Sequence, residues 1–182
     1  MLGIDPGSLI TGYGVVEKGK GGSLLCLSGG RVRLDPSAPF PERLLAISEK
    51  ITSVIREFRP EAVSVESIFF AKNARSAIIL GHVRGVVLLS AAASRVPVFE
   101  YDPRTIKLSV TGYGAATKDQ MQKMVKALLS ASEETAFPAL APASDMRGWR
   151  GQADTADALA AAICHIHSYR GVGGSNRKWA VG

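Results

Sequence analysis

Residues 1–16 read MLGIDPGSLITGYGVV, and this stretch decides the fold. An apolar run ends in a single carboxylate, Asp5, and a Pro-Gly turn signal separates it from a second strand-like run over residues 12–16. A third strand-like run covers residues 24–34, after a Lys-Gly break at residues 18–22. Three strands joined by short turns predict an antiparallel meander. Asp5 is then expected at an edge of the sheet rather than in the core, and active sites gather at such edges.

Helices and strands alternate after the meander. Apolar residues at helical or strand spacing, together with capping and stop signals, set the boundaries. The predicted elements are a helix over 44–58, a strand over 62–66, a helix over 73–93, a strand over 96–101, a short helix over 102–112, a helix from the capping box at 117–120 and a last helix over 154–169. This order predicts a mixed α/β fold, with a five-stranded sheet and helices on its faces.

Four carboxylates stand out from this pattern. Asp5 and Glu66 each end a predicted strand, while Asp154 and Asp157 lie three residues apart at the start of the last helix. Residues at i and i+3 project from one face of a helix, so both aspartates can point at one spot. Clusters of oxygen ligands favour hard divalent cations such as Mg²⁺, which leave positions open for a substrate phosphate. The sequence therefore predicts a metal-dependent phosphoryl-transfer site.

Each of these acids also has a structural alternative. Asp5 before Pro-Gly is typical of a turn, Glu66 of a surface charge, and Asp154 and Asp157 of first-turn acids that the helix dipole favours. Taken together, these alternatives explain the arrangement poorly.

Composition and charge limit the kinds of partner that the protein is expected to bind. The chain has 182 residues, is 46% hydrophobic and carries a net charge of +6, which fits one globular domain with a substantial core. The whole surplus lies in residues 67–130, where nine basic residues face three acidic ones. A basic zone beside an acidic site suggests a polyanion such as nucleic acid, although solvated helix faces would carry the same charges.

Several function classes are disfavoured. No apolar run approaches the ~18–20 residues that span a bilayer, so we expect a soluble, cytoplasmic protein with no membrane partner. Cys26 and Cys164 lack the spacing of a metal or redox motif and are expected to be buried, reduced thiols. His82 is expected on a helix surface, and His165 is expected not to be a ligand although it lies on the last helix.

Six motifs in order resemble the RuvC family of bacterial Holliday-junction resolvases. They are LGIDPGS at 2–8, TGYGV at 11–15, VE at 65–66, FFAKN at 69–73, VFEY at 98–101 and ADTADAL at 153–159. The resemblance implies an RNase H-like fold, a homodimer and paired symmetric nicks across a four-way DNA junction in recombination and repair. It also implies dependence on Mg²⁺, with two ions per subunit and Mn²⁺ as a substitute, and a branch-migration motor of the RuvAB type as partner.

The resemblance also assigns roles to individual residues. Asp5, Glu66, Asp154 and Asp157 match the family's metal-binding catalytic carboxylates, the same four that the pattern singles out. The residues expected to contact DNA are Phe69, Lys72, Arg75, Lys107 and Lys118. The aromatic pair at 69–70 beside basic residues suits base stacking next to phosphate contacts, and a hydrophobic dimer contact is the alternative.

Domain limits and two rival functions complete the interpretation. We expect a single nuclease domain over residues 1–170, with a mobile loop insertion at 131–151 and a disordered tail at 171–182. One rival is a catalytically silent junction-binding protein, against which the intact carboxylates argue. The other is an actin-like ATPase domain, since residues 3–8 resemble its first phosphate loop; that fold needs a duplicated domain, for which 182 residues leave no room.

Overall fold

The computed structural model describes residues 1–67, 73–130 and 152–168. Its strands are β1 (Leu2–Asp5), β2 (Ile10–Lys18), β3 (Leu24–Arg33), β4 (Val63–Glu66) and β5 (Val98–Tyr101). They form one sheet in the order β3-β2-β1-β4-β5, with β1 at its centre. The first three strands are antiparallel to one another, and β4 and β5 continue parallel to β1. The predicted five-stranded mixed sheet is confirmed.

Five helices flank the sheet within the described residues. They are α1 (Phe40–Phe58), α2 (Ala74–Ala93), α3 (Pro103–Thr111), α4 (Lys118–Ser130) and α5 (Ala153–Ser168). A short 3₁₀ turn, Lys20–Gly22, joins β2 to β3, and its two glycines take positive φ values of 70° and 86°. The expected loop at 131–151 and the expected tail at 171–182 lie outside the described residues.

The predicted capping signals account for where the helices begin and end. The Oδ1 atom of Asn73 accepts from the backbone N–H of Arg75 at 2.9 Å, at the start of α2. Before α4, the N–H of Thr117 donates to Gln120 Oε1 at 2.9 Å, and the N–H of Gln120 donates to Thr117 Oγ1 at 3.3 Å, which is the reciprocal capping box. Arg59 ends α1 in the left-handed region, at φ 45°.

Alternation along the strands divides the core into two layers. Leu2, Ile4, Val63 and Val65 are fully buried against α1 and α2 on one face. The residues between them, Gly3 in β1 and Ser64 in β4, face α5, which packs with α3 and α4 on the other side. Both cysteines are buried, as expected.

Helix α2 corrects the expectation about membrane spans. It is long and apolar enough to cross a bilayer by length and composition, with a mean hydropathy of 1.7 over its most apolar 18 residues. Arg75, His82 and Arg84 interrupt the run in the sequence, which hid it. Only 22% of that window is buried inside the protein, so α2 packs on α1 with one face and leaves much apolar surface uncovered.

Candidate active site

Asp5 and Glu66 lie side by side at the carboxyl ends of two neighbouring strands. They end the neighbouring parallel strands β1 and β4, in which Ile4 pairs with Val65, one residue earlier. The side-chain period of two puts both carboxylates on the same face as Gly3 and Ser64, toward α5. The strand ends therefore aim two acids at the helix that carries the other two.

Helix α5 approaches this face closely because two sheet positions lack side chains and a third carries only a small one. A Cβ atom on Gly3 would lie 1.9 Å from the carbonyl oxygen of Ala158, and one on Gly12 would lie 2.0 Å from that of Asp154. On β4, the hydroxyl of Ser64 donates to the carbonyl of Ala161 at 2.7 Å. Gly12 is also the β2 partner of Asp5 in the sheet, so its contact with Asp154 brings the first turn of α5 beside Asp5.

Electrostatics show that the four acids share one environment. The pKa of Asp5 is raised to about 7, first by burial and then by repulsion from Asp157, Glu66 and Asp154. Burial also raises the pKa of Glu66, and the charge of Asp157 adds to this effect. The carboxylates at this site therefore repel one another, and a bound cation would relieve that repulsion.

Two lysines of the predicted DNA surface stand next to the acids. Lys118, the first residue of α4, places its Nζ 2.8 Å from Oδ2 of Asp157, and this contact raises the pKa of the ammonium group. Lys107 of α3 lines a cavity of about 240 Å³ together with Glu66, Lys118 and Asp157. Both lysines lower the pKa of Glu66, which opposes the effect of burial.

The donor set fits hard cations in its chemistry, and the present arrangement is looser than a coordination shell. Across the described parts of the chain, no three His, Cys, Asp or Glu side chains are grouped closely enough to hold one ion. Repulsion among the acids acts over longer distances than metal–oxygen bonds, so the two observations agree. Lys118 contacts Asp157 in this arrangement.

Sequence reasoning missed one residue at this edge, Arg84. Its guanidinium donates to the backbone carbonyl of Glu66 at 2.6 Å and pairs with the carboxylate of Glu100 in β5. A cavity of about 290 Å³ opens here; its lining comprises Asp5, Pro6, Glu66, Ser67, Leu80, Arg84 and Pro103. From the sequence alone, Arg84 was only one of the nine basic residues at 67–130. An arginine in the middle of an apolar helix, followed by a glutamate inside a strand, is the signal that could have pointed to a partly buried ion pair.

Of the remaining predicted site residues, Phe69 and Lys72 lie outside the described residues. Arg75 is exposed in the first turn of α2. His165 is buried at the other end of α5, where its Nδ1 lies 2.8 Å from the hydroxyl of Tyr101 and its ring stacks near Phe99. Burial lowers the pKa of His165 to about 4.

Comparison with known proteins gives a consistent result. The family model described as Crossover junction endodeoxyribonuclease RuvC matches residues 1–165. A relative of that description from Trichlorobacter lovleyi is 45% identical over 170 residues, which cover 93% of this chain and 86% of the relative. One from Desulfitobacterium hafniense is 46% identical over 168 residues, which cover 92% of each chain. The solved structure of T. thermophilus RuvC in complex with Holliday junction substrate is 34% identical with a TM-score of 0.75, over 91% of this chain and 92% of that one.

Proposed function

Since the chain belongs to the RuvC family of crossover junction endodeoxyribonucleases and has their RNase H-like fold, it is a junction-resolving DNA endonuclease, and we propose that its cleavage of four-way junctions depends on Mg²⁺. The observation that carries the metal dependence is the convergence of acids from β1, β4 and α5 on one spot, with the pKa of Asp5 raised to about 7. Surplus negative charge on hard oxygen donors favours a divalent cation.

Each acid has a proposed place in the metal site. Asp5, which ends the central strand, would hold Mg²⁺ together with Glu66 on one side and with Asp154 and Asp157 on the other, and two ions per subunit are proposed. When bound, the ions supply an activated water and neutralise charge on the phosphate under attack. Mn²⁺ also prefers oxygen ligands and is expected to substitute.

The lysines beside the acids would hold the DNA phosphate. Lys107 lines the cavity that contains Glu66, and Lys118 contacts Asp157 in the described arrangement. Once other positive charge neutralises Asp157, the ammonium group of Lys118 is free to contact a phosphate oxygen and to stabilise negative charge that develops there. Phe69, Lys72 and Arg75 are proposed to extend this surface, with the aromatic ring stacking on a base and the cations binding the backbone.

The primary test is cleavage of a synthetic four-way junction in Mg²⁺, beside a linear duplex of equal length and a sample with chelator. Asp5→Asn and Glu66→Gln should each lower the cleavage rate by at least about 10²-fold. Junction binding in chelator should stay equal or become tighter, because each change removes negative charge near a polyanion. Asp35→Asn, at an exposed site between β3 and α1, is the matched control and should cut normally.

Two outcomes would contradict the proposal. A variant that nicks junctions at the native rate removes its residue from the site. A native protein that binds junctions tightly but never cuts them in Mg²⁺ or Mn²⁺ would be the catalytically silent binder instead.

A second test addresses the DNA surface. Lys107→Ala and Lys118→Ala should lower activity and reduce the slope of log affinity against log salt concentration by about one each. Binding isotherms at several salt concentrations measure this slope, with Lys20→Ala, in the exposed β2–β3 turn, as control. Unchanged rates and slopes in both variants would move the DNA surface elsewhere.

A homodimer is proposed to supply the second active site that paired nicks require. The exposed stripe on α2 carries Ile78 at 61% exposure and Leu89 at 68%, and between them Gly81 and Gly85 face open space. These positions repeat at three- and four-residue steps along one face of the helix. Small residues flanked by aliphatic ones allow two helices to approach closely, so the α2 of a second copy fits this stripe.

The cellular setting follows from family membership. We propose that the enzyme acts in the bacterial cytoplasm, with a branch-migration motor complex of the RuvAB type delivering the junction. Addition of the cognate motor to a mobile junction should increase the rate of cutting, and an unchanged rate would argue against the partnership.

A further inference from the structure

Arg84 of α2 joins two parallel strands at the acidic edge of the sheet. Its Nη1 donates to the backbone carbonyl of Glu66 at 2.6 Å, and its Nη2 pairs with Oε1 of Glu100. The Arg84 side chain is 11% exposed and that of Glu100 is 19% exposed. Water therefore competes little with either contact, and hydrogen bonds from an ionised donor are among the stronger ones in proteins.

The Glu66 carbonyl needs this donor because of the proline in the opening motif. Pairing of β1 with β4 begins with the N–H of Leu2 donating to the carbonyl of Ala62 at 3.1 Å. In this parallel register the same bond recurs at every second residue, so residue 6 would donate to the carbonyl of Glu66. Residue 6 is Pro6, which has no N–H. The ladder thus loses a donor beside the carboxylate that ends β4.

The other edge of β4 is closed by ordinary pairing. Glu66 faces Tyr101 of β5, and the next residue, Ser67, donates its N–H to the carbonyl of Tyr101 at 2.8 Å. Among the residues that the structure describes, the edge toward β1 lacks a backbone donor at this point, and the guanidinium of Arg84 donates there instead. Glu100, also on β5, fixes the orientation of that guanidinium.

We infer that Arg84 is a positioning residue for Glu66, which replaces the N–H that Pro6 lacks and so fixes the end of β4 and the direction of the Glu66 carboxylate. This inference rests on the proposed metal-binding role of Glu66. Arginine suits the task because its planar group presents two nitrogens in fixed geometry to two acceptors. Lysine presents one compact ammonium group and cannot hold both partners in the same way.

The test compares three variants with native protein. Arg84→Gln and Arg84→Lys should raise the Mg²⁺ concentration for half-maximal cleavage by about tenfold or more, and Glu100→Gln, which keeps the donor to Glu66, should raise it less. Calorimetric titration with Mn²⁺ in the absence of DNA gives a readout independent of activity and should show weaker binding in the same order. Junction affinity in chelator should change less than twofold.

Controls separate positioning from folding. Arg56→Gln removes an exposed arginine near the end of α1 and should leave all values unchanged. Thermal unfolding of every variant sets an assay temperature at which each is fully folded. Under that condition, unchanged Mg²⁺ dependence and Mn²⁺ affinity in Arg84→Gln would overturn the inference, as would full rescue by lysine. If Glu66→Gln cuts junctions at the native rate, the proposed metal-binding role of Glu66 is wrong. If Glu66→Gln is inactive but Arg84→Gln behaves like the native protein, only the inference about Arg84 is wrong.

Discussion

Helices α5 and α2 are both apolar and rich in small residues, yet the fold uses them in opposite ways. Almost all of α5 from Thr155 to His165 is buried, and it lies on sheet glycines that leave no room for a Cβ atom. In α2 the glycines lie on the helix itself, at Gly81 and Gly85, and face open space.

The difference teaches that similar apolar composition can either build the core or remain on the surface. Tight contact on α5 sets how far Asp154 and Asp157 stand from the strand ends, so its packing determines the geometry of the candidate site. The exposed apolar surface of α2 is not part of the core, and it is the surface proposed above for a second copy. Packing geometry separates the two roles, although the two sequences look alike in composition.

The largest expected effect comes from filling a glycine under α5. Gly12→Ala places a Cβ 2.0 Å from the carbonyl oxygen of Asp154, so helix and sheet must separate. We expect a loss of about 3 kcal/mol in the free energy of unfolding, measured by urea denaturation, with cleavage reduced even where the protein is folded. Unchanged stability would show that α5 does not rest on this strand as described.

The next largest expected effect is on stability and comes from the charge of Asp5, which lies beside α5. Because the pKa of Asp5 is about 7 in the folded protein, against 3.8 in the unfolded chain, the folded state binds more protons between these values. Ionised Asp5 therefore destabilises the folded protein by an amount that is absent below about pH 3.8, grows as the pH rises from 3.8 to about 7 and stays constant above that. Asp5→Asn should stabilise the metal-free protein at pH 8 by on the order of 2 kcal/mol, and the gain should vanish near pH 4.

Thermal unfolding in chelator across this pH range measures the effect. Asp35→Asn is the opposite-sign control, since hydrogen bonds from the Ser37 side chain and N–H lower the pKa of Asp35 and its removal should not stabilise the protein. A gain in Asp5→Asn that is independent of pH would contradict the electrostatic explanation.

A charged substitution on the exposed face of α2 tests whether this face forms the dimer interface. Ile78→Glu or Leu89→Glu places a carboxylate in the exposed stripe and should weaken dimerisation at least tenfold, or about 1.4 kcal/mol, with little change in monomer stability. Analytical ultracentrifugation over a dilution series gives the dissociation constant. Leu108→Glu, at an exposed apolar position on α3, is the control, and equal weakening by it would show that α2 is not the interface.

The smallest expected effect, that of Gly81→Ala on stability, tests most directly how the glycines of α2 differ from those under α5. Gly81→Ala adds a methyl group where nothing lies within 4 Å, so helix propensity should stabilise the monomer by about 0.5–1 kcal/mol, in contrast to the cost of Gly12→Ala. If a second α2 packs against this glycine, the same methyl should weaken the dimer. Stabilisation with an unchanged dimer would place the close helix contact elsewhere on the stripe.

Much of this architecture could be predicted because it depends on local signals. The strand ends at Asp5 and Glu66, the cap at Asn73 and the capping box at Thr117 each lie within a few residues of their causes. The spacing of Asp154 and Asp157 likewise follows from helix geometry alone.

The rest depends on contacts between distant residues. The link from Arg84 to the Glu66 carbonyl exists because β1 and β4 pair in one register that puts Pro6 opposite, and neither residue type suggests it alone. The pairing of Lys118 with Asp157 requires the α4–α5 arrangement. The membrane-length apolar stretch of α2 was hidden because Arg75, His82 and Arg84 interrupt it in the sequence.

Because two of the four acids arrive with α5, the order of synthesis matters. A ribosome that has made the first 150 residues has produced the whole sheet and none of the helix that rests on Gly3 and Gly12. With the site proposed above, Asp5 and Glu66 at that stage lack Asp154 and Asp157. A growing chain would then not cut DNA until α5 has emerged and docked, and a product truncated before α5 would remain inactive.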